Sequence, residues 1–282
     1  VISVVVLTHD EAVNIERCLA SVRWAGDVLV VDSGSRDGTP EMARAMGARV
    51  IHRSFDNFAN QRNHALDHGD LKYPWVLHLD ADEEASEALR QEVLAVVSGA
   101  PGMKPAWRVP SRLMLLGQWL RRSGMYPAYQ VRFGLRDSLR FTMVGHGQRE
   151  TLPPHDLGTF TGHLVHHNFS KGISDWLAKH ARYARDEARI AVATRGTVCW
   201  VHLLRARDGV ERRRALKALS HTLPARPLLR FLYVYGVRRG FMDGRAGLRY
   251  ALLMATYQWA IDLNAIELRH AAATRSKAGG GS

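Results

Sequence analysis

Cysteine is scarce in this chain: Cys18 and Cys199 are the two in 282 residues. Two thiols so far apart make neither a disulfide framework nor a zinc-ligand spacing, which points to a reducing compartment. Long apolar runs are missing too. The longest uncharged stretch of residues 226–268 is 250–261, between Arg249 and Asp262, too short to span a bilayer. The opening run stops at Leu7 and gives way to Thr8-His9-Asp10-Glu11, so it reads as a strand and not as a signal peptide. Phosphate-binding glycine loops are absent. No Gly-x-Gly-x-x-Gly follows the first strand and no Gly-x-x-x-x-Gly-Lys-Ser/Thr occurs anywhere. Any nucleotide bound here has to be held by carboxylates on base and ribose and by a metal on the diphosphate.

What the chain has in quantity is positive charge, unevenly placed. Its formal net charge is +12. Residues 1–100 carry 9 Lys and Arg against 16 Asp and Glu, whereas residues 101–282 carry 30 against 11. An acidic part joined to a basic one implies two jobs, the second facing phosphate-bearing substrate, anionic lipid or nucleic acid. The length suits one large domain, or a domain with a substantial appendix. Residues 271–282 are expected to be tail or linker, outside the fold.

Residues 1–7 are a β-branched run broken only by Ser3, the pattern of a strand buried on both faces. Ala12, Ile15, Leu19 and Val22 then recur at helical spacing. Residues 28–31 form a second apolar run ending at Asp32, after which Thr39 caps a helix with Pro40 at its first position. Residues 48–52 and 75–79 read as further strands, with a helix over 58–68 between them. This alternation predicts right-handed βαβ units and a mostly parallel sheet. Strand ends then share one edge, where ligands sit. Thr8, Glu11, Asp32, Asp80 and Asp82 all fall there.

The sharpest signal is Val76-Leu77-His78-Leu79-Asp80-Ala81-Asp82-Glu83-Glu84. Period-two alternation puts Asp80 and Asp82 on one side. Two such carboxylates repel unless a cation lies between them or one takes a proton. A hard divalent ion that also holds phosphate oxygens relieves the repulsion. The competing reading is that Asp82, Glu83 and Glu84 favour the N-terminus of a following helix.

Four segments carry a resemblance: Val4-Val5-Val6-Leu7-Thr8, Val30-Val31-Asp32-Ser33-Gly34-Ser35-Arg36-Asp37-Gly38-Thr39, Gln61-Arg62-Asn63-His64-Ala65-Leu66 and Leu77-His78-Leu79-Asp80-Ala81-Asp82-Glu83. Together they resemble the inverting glycosyltransferases of family 2, nearest to lipopolysaccharide core glucosyltransferases and related exopolysaccharide enzymes. The resemblance implies a GT-A fold: Rossmann-like α/β, a mostly parallel sheet with flanking helices. It also implies a nucleotide-sugar donor, UDP-linked, and a divalent metal, Mg²⁺ or Mn²⁺. By motif position Thr8 and Glu11 line the nucleotide pocket, Asp32 accepts from the base and Arg62 lies near uracil or diphosphate. Asp80 meets ribose or metal, and Asp82 is the metal ligand.

Residues 1–100 are then the donor-binding half and 101–170 the acceptor-side half of the catalytic domain. In the latter, 106–110 and 130–133 look like strands, and 113–120 like a short helix or a hairpin. Relatives carry a His-Glu segment near Val144-Gly145-His146-Gly147-Gln148-Arg149-Glu150, and their acceptor-side carboxylate is the base. Here three residues separate the pair, with Glu150 the base candidate and His146 the second. The alternative for Glu150 is pairing with Arg149 or Arg140. His163, His166 and His167 lack the partners and spacing of a zinc site; His166 matches a family histidine, with a buried, hydrogen-bonded role expected.

Residues 171–270 read as a basic, amphipathic helical region, opening with a helix over 175–195 capped by Ser174 and followed by Gly196. Residues 197–225 are Arg-rich, including Arg212-Arg213-Arg214. Aromatics interleaved with Arg230, Arg238, Arg239, Arg245 and Arg249 are the pattern of a segment lying at a membrane interface. The alternative is a helical hairpin packed on the catalytic core. Expected partners are a nucleotide-sugar, a lipid-linked or polysaccharide acceptor and an anionic membrane surface, with no nucleic acid. The expected location is peripheral, on the cytoplasmic side of the inner membrane. Two other functions compete: a sugar-phosphate nucleotidyltransferase, disfavoured by the missing glycine loop, and a non-catalytic basic binding protein.

Overall fold

The computed structural model describes residues 1–99, 102–144, 147–193 and 225–279. His146, Cys199, Gly196 and Arg212-Arg213-Arg214 lie outside the described residues. The chain divides into two compact units, Val1–Lys171 and Gly172–Ser282.

The first unit opens with β1 (Ser3–Thr8), α1 (Ile15–Ser21), β2 (Asp27–Asp32), α2 (Thr39–Ala45), β3 (Arg49–His52), α3 (Phe58–His68) and β4 (Trp75–Asp80). These strands run parallel in the order β3-β2-β1-β4. Burial on both faces explains their unbroken apolar runs. Val4 and Val6 of β1 join one core cluster with Ile15 and Leu79, while Val5 and Leu7 join the opposite one with Ala65 and Val31. Register then fixes the edge: Thr8 pairs with Asp32, and Leu7 with Asp80. Three of the polar strand ends are thus level.

Beyond β4 come β5 (Glu83–Ala85), α4 (Glu87–Val97), β6 (Ala106–Leu115), β7 (Gln118–Trp119), β8 (Ala128–Leu135), β9 (Phe141–Val144), β10 (Gly147–Glu150), β11 (Leu157–Thr159) and β12 (Leu164–His166). The sheet continues past β4 as β8-β6-β12-β5, with β8 antiparallel to both neighbours and β12 parallel to β6. β9 and β10 form a separate hairpin. Asn63 of α3 holds it, donating to the Phe141 carbonyl at 2.9 Å and accepting the Phe141 N–H at 3.0 Å. The architecture is the flanked α/β sheet expected of GT-A, followed by helices.

Residues 113–120 are a hairpin, one of the two forms expected, with Met114 opposite Trp119. Other local details differ from the sequence reading. Thr39 lies inside α2, and Asp37 does the capping by accepting the Thr39 N–H at 3.1 Å. Glu83 and Glu84 stand on a strand and not at a helix start. Ser86 caps α4 instead, its Oγ accepting the Leu89 N–H at 3.2 Å.

The second unit contains α5 (Ile173–Ala193), α6 (Arg226–Leu232), a π turn over Tyr233–Val237, a 3₁₀ turn over Gly240–Asp243 and α7 (Gly244–Gly279). Ser174, expected as a cap, lies within the first turn of α5. α5 and α7 bury Ala184, Ala188, Ile261 and Ala265 between them. Small side chains there let the two backbones approach. Arg226 of α6 is ion-paired with Asp262 of α7, which also accepts from Gln258 at 3.2 Å. Among the described residues no helix is long and apolar enough to cross a membrane.

Candidate active site

At the end of β2 the chain turns back at Gly34, whose φ of +89° suits a residue without a side chain. That turn wraps donors around Asp32. Oδ1 accepts from the hydroxyls of Thr8 at 3.0 Å and Ser35 at 2.5 Å, and Oδ2 from the backbone N–H groups of Gly34 at 2.9 Å and Ser35 at 3.0 Å. Burial pushes this carboxyl up, but the bonds from Ser35, Gly34 and Thr8 outweigh it and hold its pKa below the ordinary value. A carboxylate offers about four acceptor positions, and the protein already supplies four donors. Glu11, in the loop after β1, is also engaged: Lys171 Nζ lies 2.6 Å from Oε1 and Asn14 donates to Oε2 at 2.6 Å. Burial raises its pKa, against the pull of Lys171 and Asn14.

The end of β4 is a charge lattice. Asp80 accepts from Arg62 of α3 at 2.7 Å through Oδ1, and from Arg132 of β8 at 2.7 Å through Oδ2. The same Arg132 Nη2 donates to Glu83 Oε1 at 3.0 Å, while Glu83 Oε2 accepts the Asp80 backbone N–H at 2.9 Å. Arg62, Arg132 and Glu83 are buried. Burial, then the neighbouring Asp80 charge, raise the pKa of Glu83.

Past this lattice Asp82 meets β12. Register sets His166 opposite Glu83, and His166 Nε2 lies 3.2 Å from Asp82 Oδ2. Burial pushes the imidazole down, but Asp82, with Glu83 and Asp80, holds it up to about 9. His163 is separate. Burial, then Arg112, lower its pKa to about 4.

Among the described residues no group of three or more His, Cys, Asp or Glu could hold a metal ion. Mg²⁺-type sites are commonly one or two carboxylates completed by substrate phosphates and water. Asp82 supplies one such carboxylate, with His166 against its Oδ2. Asp80, by contrast, has both oxygens committed to guanidinium groups.

Residues 3–101 match the family model described as glycosyl transferase family 2. Over that stretch, about a third of the chain, it is similar to family 2 glycosyltransferase domains. The lipopolysaccharide core biosynthesis glycosyltransferase LpsC of Rhizobium meliloti is 26% identical over 171 residues, covering 58% of this chain and 62% of that protein. A TPR repeat-containing protein of Synechococcus elongatus is 45% identical over 85 residues, 29% of this chain and 21% of its own length. The chain therefore spans less than two thirds of either relative. Among solved structures, glucosyl-3-phosphoglycerate synthase from Mycobacterium tuberculosis, in complex with Mn²⁺, uridine-diphosphate and glucosyl-3-phosphoglycerate, is 19% identical. Its TM-score is 0.44, over 67% of this chain and 77% of that one. The assignments below do not rest on so distant a likeness.

Within the first unit, Glu150 ends β10 directly opposite Phe141. The buried Phe141 ring lies 6.0 Å from the Arg62 guanidinium. Asn63 thereby ties β9, the pairing partner of the strand that carries Glu150, to the helix that carries Arg62. Arg140, considered as a Glu150 partner, instead pairs with Asp67 at 3.0 Å.

Sequence reasoning passed over Arg132, the lattice role of Glu83, and Lys171. Arg132 had a signal: a lone cation inside the apolar run Val131-Arg132-Phe133 needs a buried counter-charge. Lys171 had none, because its contact with Glu11 spans 160 residues of chain.

Proposed function

We propose that the chain is an inverting glycosyltransferase, moving a sugar from a UDP-linked donor to a lipid-linked or lipopolysaccharide-type glycan. The observation that carries this is the level row of Thr8, Asp32 and Asp80 at the strand edge, followed by Asp82 against His166, in a chain whose residues 3–101 match family 2. Residues 1–100 bind donor and 101–170 receive acceptor. Glu11, Thr8 and Asp32 line the nucleoside pocket. A base that donates to Asp32 displaces the Thr8 or Ser35 hydroxyl, which rotates away at little cost. Asp80 faces ribose and diphosphate, held from behind by the buried Arg62. Asp82, with His166 beside it, would hold a divalent metal, whose positive charge would stabilise the departing diphosphate. Glu150 takes the proton of the acceptor hydroxyl as that oxygen attacks the anomeric carbon opposite the diphosphate. The acceptor class follows from the name of the Rhizobium relative.

A second reading concerns residues 171–270, a peripheral anchor on the cytoplasmic face of the inner membrane. Leu228, Leu232, Val237, Phe241 and Met242 are exposed in the stretch that also carries Arg239 and Arg245. Apolar side chains alternating with cations suit an anionic lipid surface.

Incubation with radiolabelled UDP-sugars, Mn²⁺ and lipid-linked glycan tests the activity. Release of UDP with label in the glycan is expected. Pyrophosphate release turns the reading to a nucleotidyltransferase, and no product with any donor leaves a binding protein.

A further inference from the structure

Asp80, Asp82 and Glu83 share one tight turn between β4 and β5. Three carboxylates so close drive the turn apart unless something fixes it. One side chain touches two of them. Arg132 Nη2 lies 2.7 Å from Asp80 Oδ2 and 3.0 Å from Glu83 Oε1, and the Asp80 N–H bond to Glu83 Oε2 closes the ring. The bridge comes from β8, so the turn is held from across the sheet rather than from within itself.

Stability alone does not account for this arginine. Arg132 is 2% exposed, and its Nε and Nη1 find no acceptor among the described residues. Replacing a buried ion pair with well-packed apolar groups is often neutral or stabilising. Phe133, on the other face of the same strand, packs into the core. A residue kept for cohesion would have its donors satisfied. Here the donor that is satisfied is the one aimed at the turn.

We propose that Arg132 is a positioning residue of the transfer site. It bridges Asp80 and Glu83 and fixes the turn so that the Asp82 carboxylate is presented toward His166 and the donor diphosphate. Arg62 holds the other oxygen of Asp80, so the turn is clamped from α3 and β8 at once. The assignment rests on the donor reading above.

The test is UDP binding by calorimetry with Mn²⁺ and with EDTA, on wild type, Arg132→Gln and the double variant Arg132→Gln/Glu83→Gln. The thermal midpoint is followed in each. Arg132→Gln is expected to weaken Mn²⁺-dependent UDP binding at least tenfold, leaving metal-free binding, set at Thr8 and Asp32, within twofold. It also takes away the donor that Asp80 and Glu83 share, leaving buried acceptor oxygens unsatisfied, so the midpoint falls. The double variant replaces the crowded Glu83 carboxyl as well. Its midpoint is expected to recover while Mn²⁺-dependent binding stays weak. Recovery of both together makes Arg132 merely structural and overturns the proposal. Equal loss of metal-dependent and metal-free binding in the double variant overturns it too. Wild-type protein that binds UDP no better with Mn²⁺ than with EDTA removes the donor reading itself, and the role of Arg132 with it.

Discussion

In the unit Val1–Lys171, Arg62 and Arg132 are 1% and 2% exposed; in the unit Gly172–Ser282, Val237 is 73% and Phe241 53% exposed. The first unit buries two arginines beside its strand edge, and the second exposes a run of apolar side chains over residues 228–242, both against the usual preference. Buried charge is costly and survives where geometry demands it. Here it orients the carboxylates that close β4. The apolar side chains exposed along residues 228–242 are what the proposed peripheral anchor would display.

The largest effect is expected where position matters most. Asp82→Ala should abolish turnover and Mn²⁺-dependent donor binding while the protein stays folded, its thermal midpoint losing what the pair with His166 contributes. Normal activity in this variant would remove the metal assignment. Glu150→Gln comes next. It should leave UDP binding intact and lower transfer by roughly 10²–10⁴-fold, the usual contribution of a positioned base. Near wild-type rates would exclude Glu150 as base and turn attention to His146.

The same contrast explains what could be seen beforehand. β1 to β4 and their polar ends were legible because strands buried on both faces write continuous apolar runs, and because register makes their last residues level. Glu83 and Glu84 misled, since a carboxylate pair before a helix looks like a cap. They are on β5, and β12, about 80 residues later, is their pairing strand. Arg132 was missed for a similar reason. It sits on β8, whose first three residues are exposed and whose run is short, and its partners lie about 50 residues upstream. Side chains that meet across long chain separations leave no periodic trace. The aromatic and basic residues of α6 and α7 were legible as a composition, whereas which of them face outward was not.

That outward set sharpens the second half of the comparison. Arg239, Arg245 and Arg249 are exposed, and each cation near an anionic surface contributes about 1 kcal/mol. Changing all three to Gln should weaken binding to phosphatidylserine vesicles by roughly two orders of magnitude. Binding to neutral vesicles should hardly change. Added salt should mimic the triple variant, while a salt-resistant remainder reports apolar insertion. Val237→Glu should remove that remainder. Wild-type protein that ignores vesicles of every composition would make these helices structural. Donor binding should survive each change, since its residues all lie in the first unit.

The smallest effect is a slope with pH, and its sign follows from His166. Asp82 and its neighbours hold the folded-state imidazole up to about 9, against about 6.5 in an unfolded chain. Below pH 6.5 both states carry the proton and the full stabilisation is present. Between 6.5 and 9 the folded state binds more protons than the unfolded one, so stability falls as pH rises. Glu83 acts in the same direction, its folded pKa raised by burial and by Asp80. The thermal midpoint in EDTA should therefore drop between pH 6.5 and 9, by about 2–4 °C per kcal/mol lost. His166→Gln should flatten most of that slope, because Gln carries no proton to lose. Asp82→Asn should flatten it as well, by removing the charge that raises the imidazole. A midpoint that is level or climbs across this window in the wild type would mean that His166 is neutral beside Asp82, and the electrostatic account of that pair would have to be withdrawn.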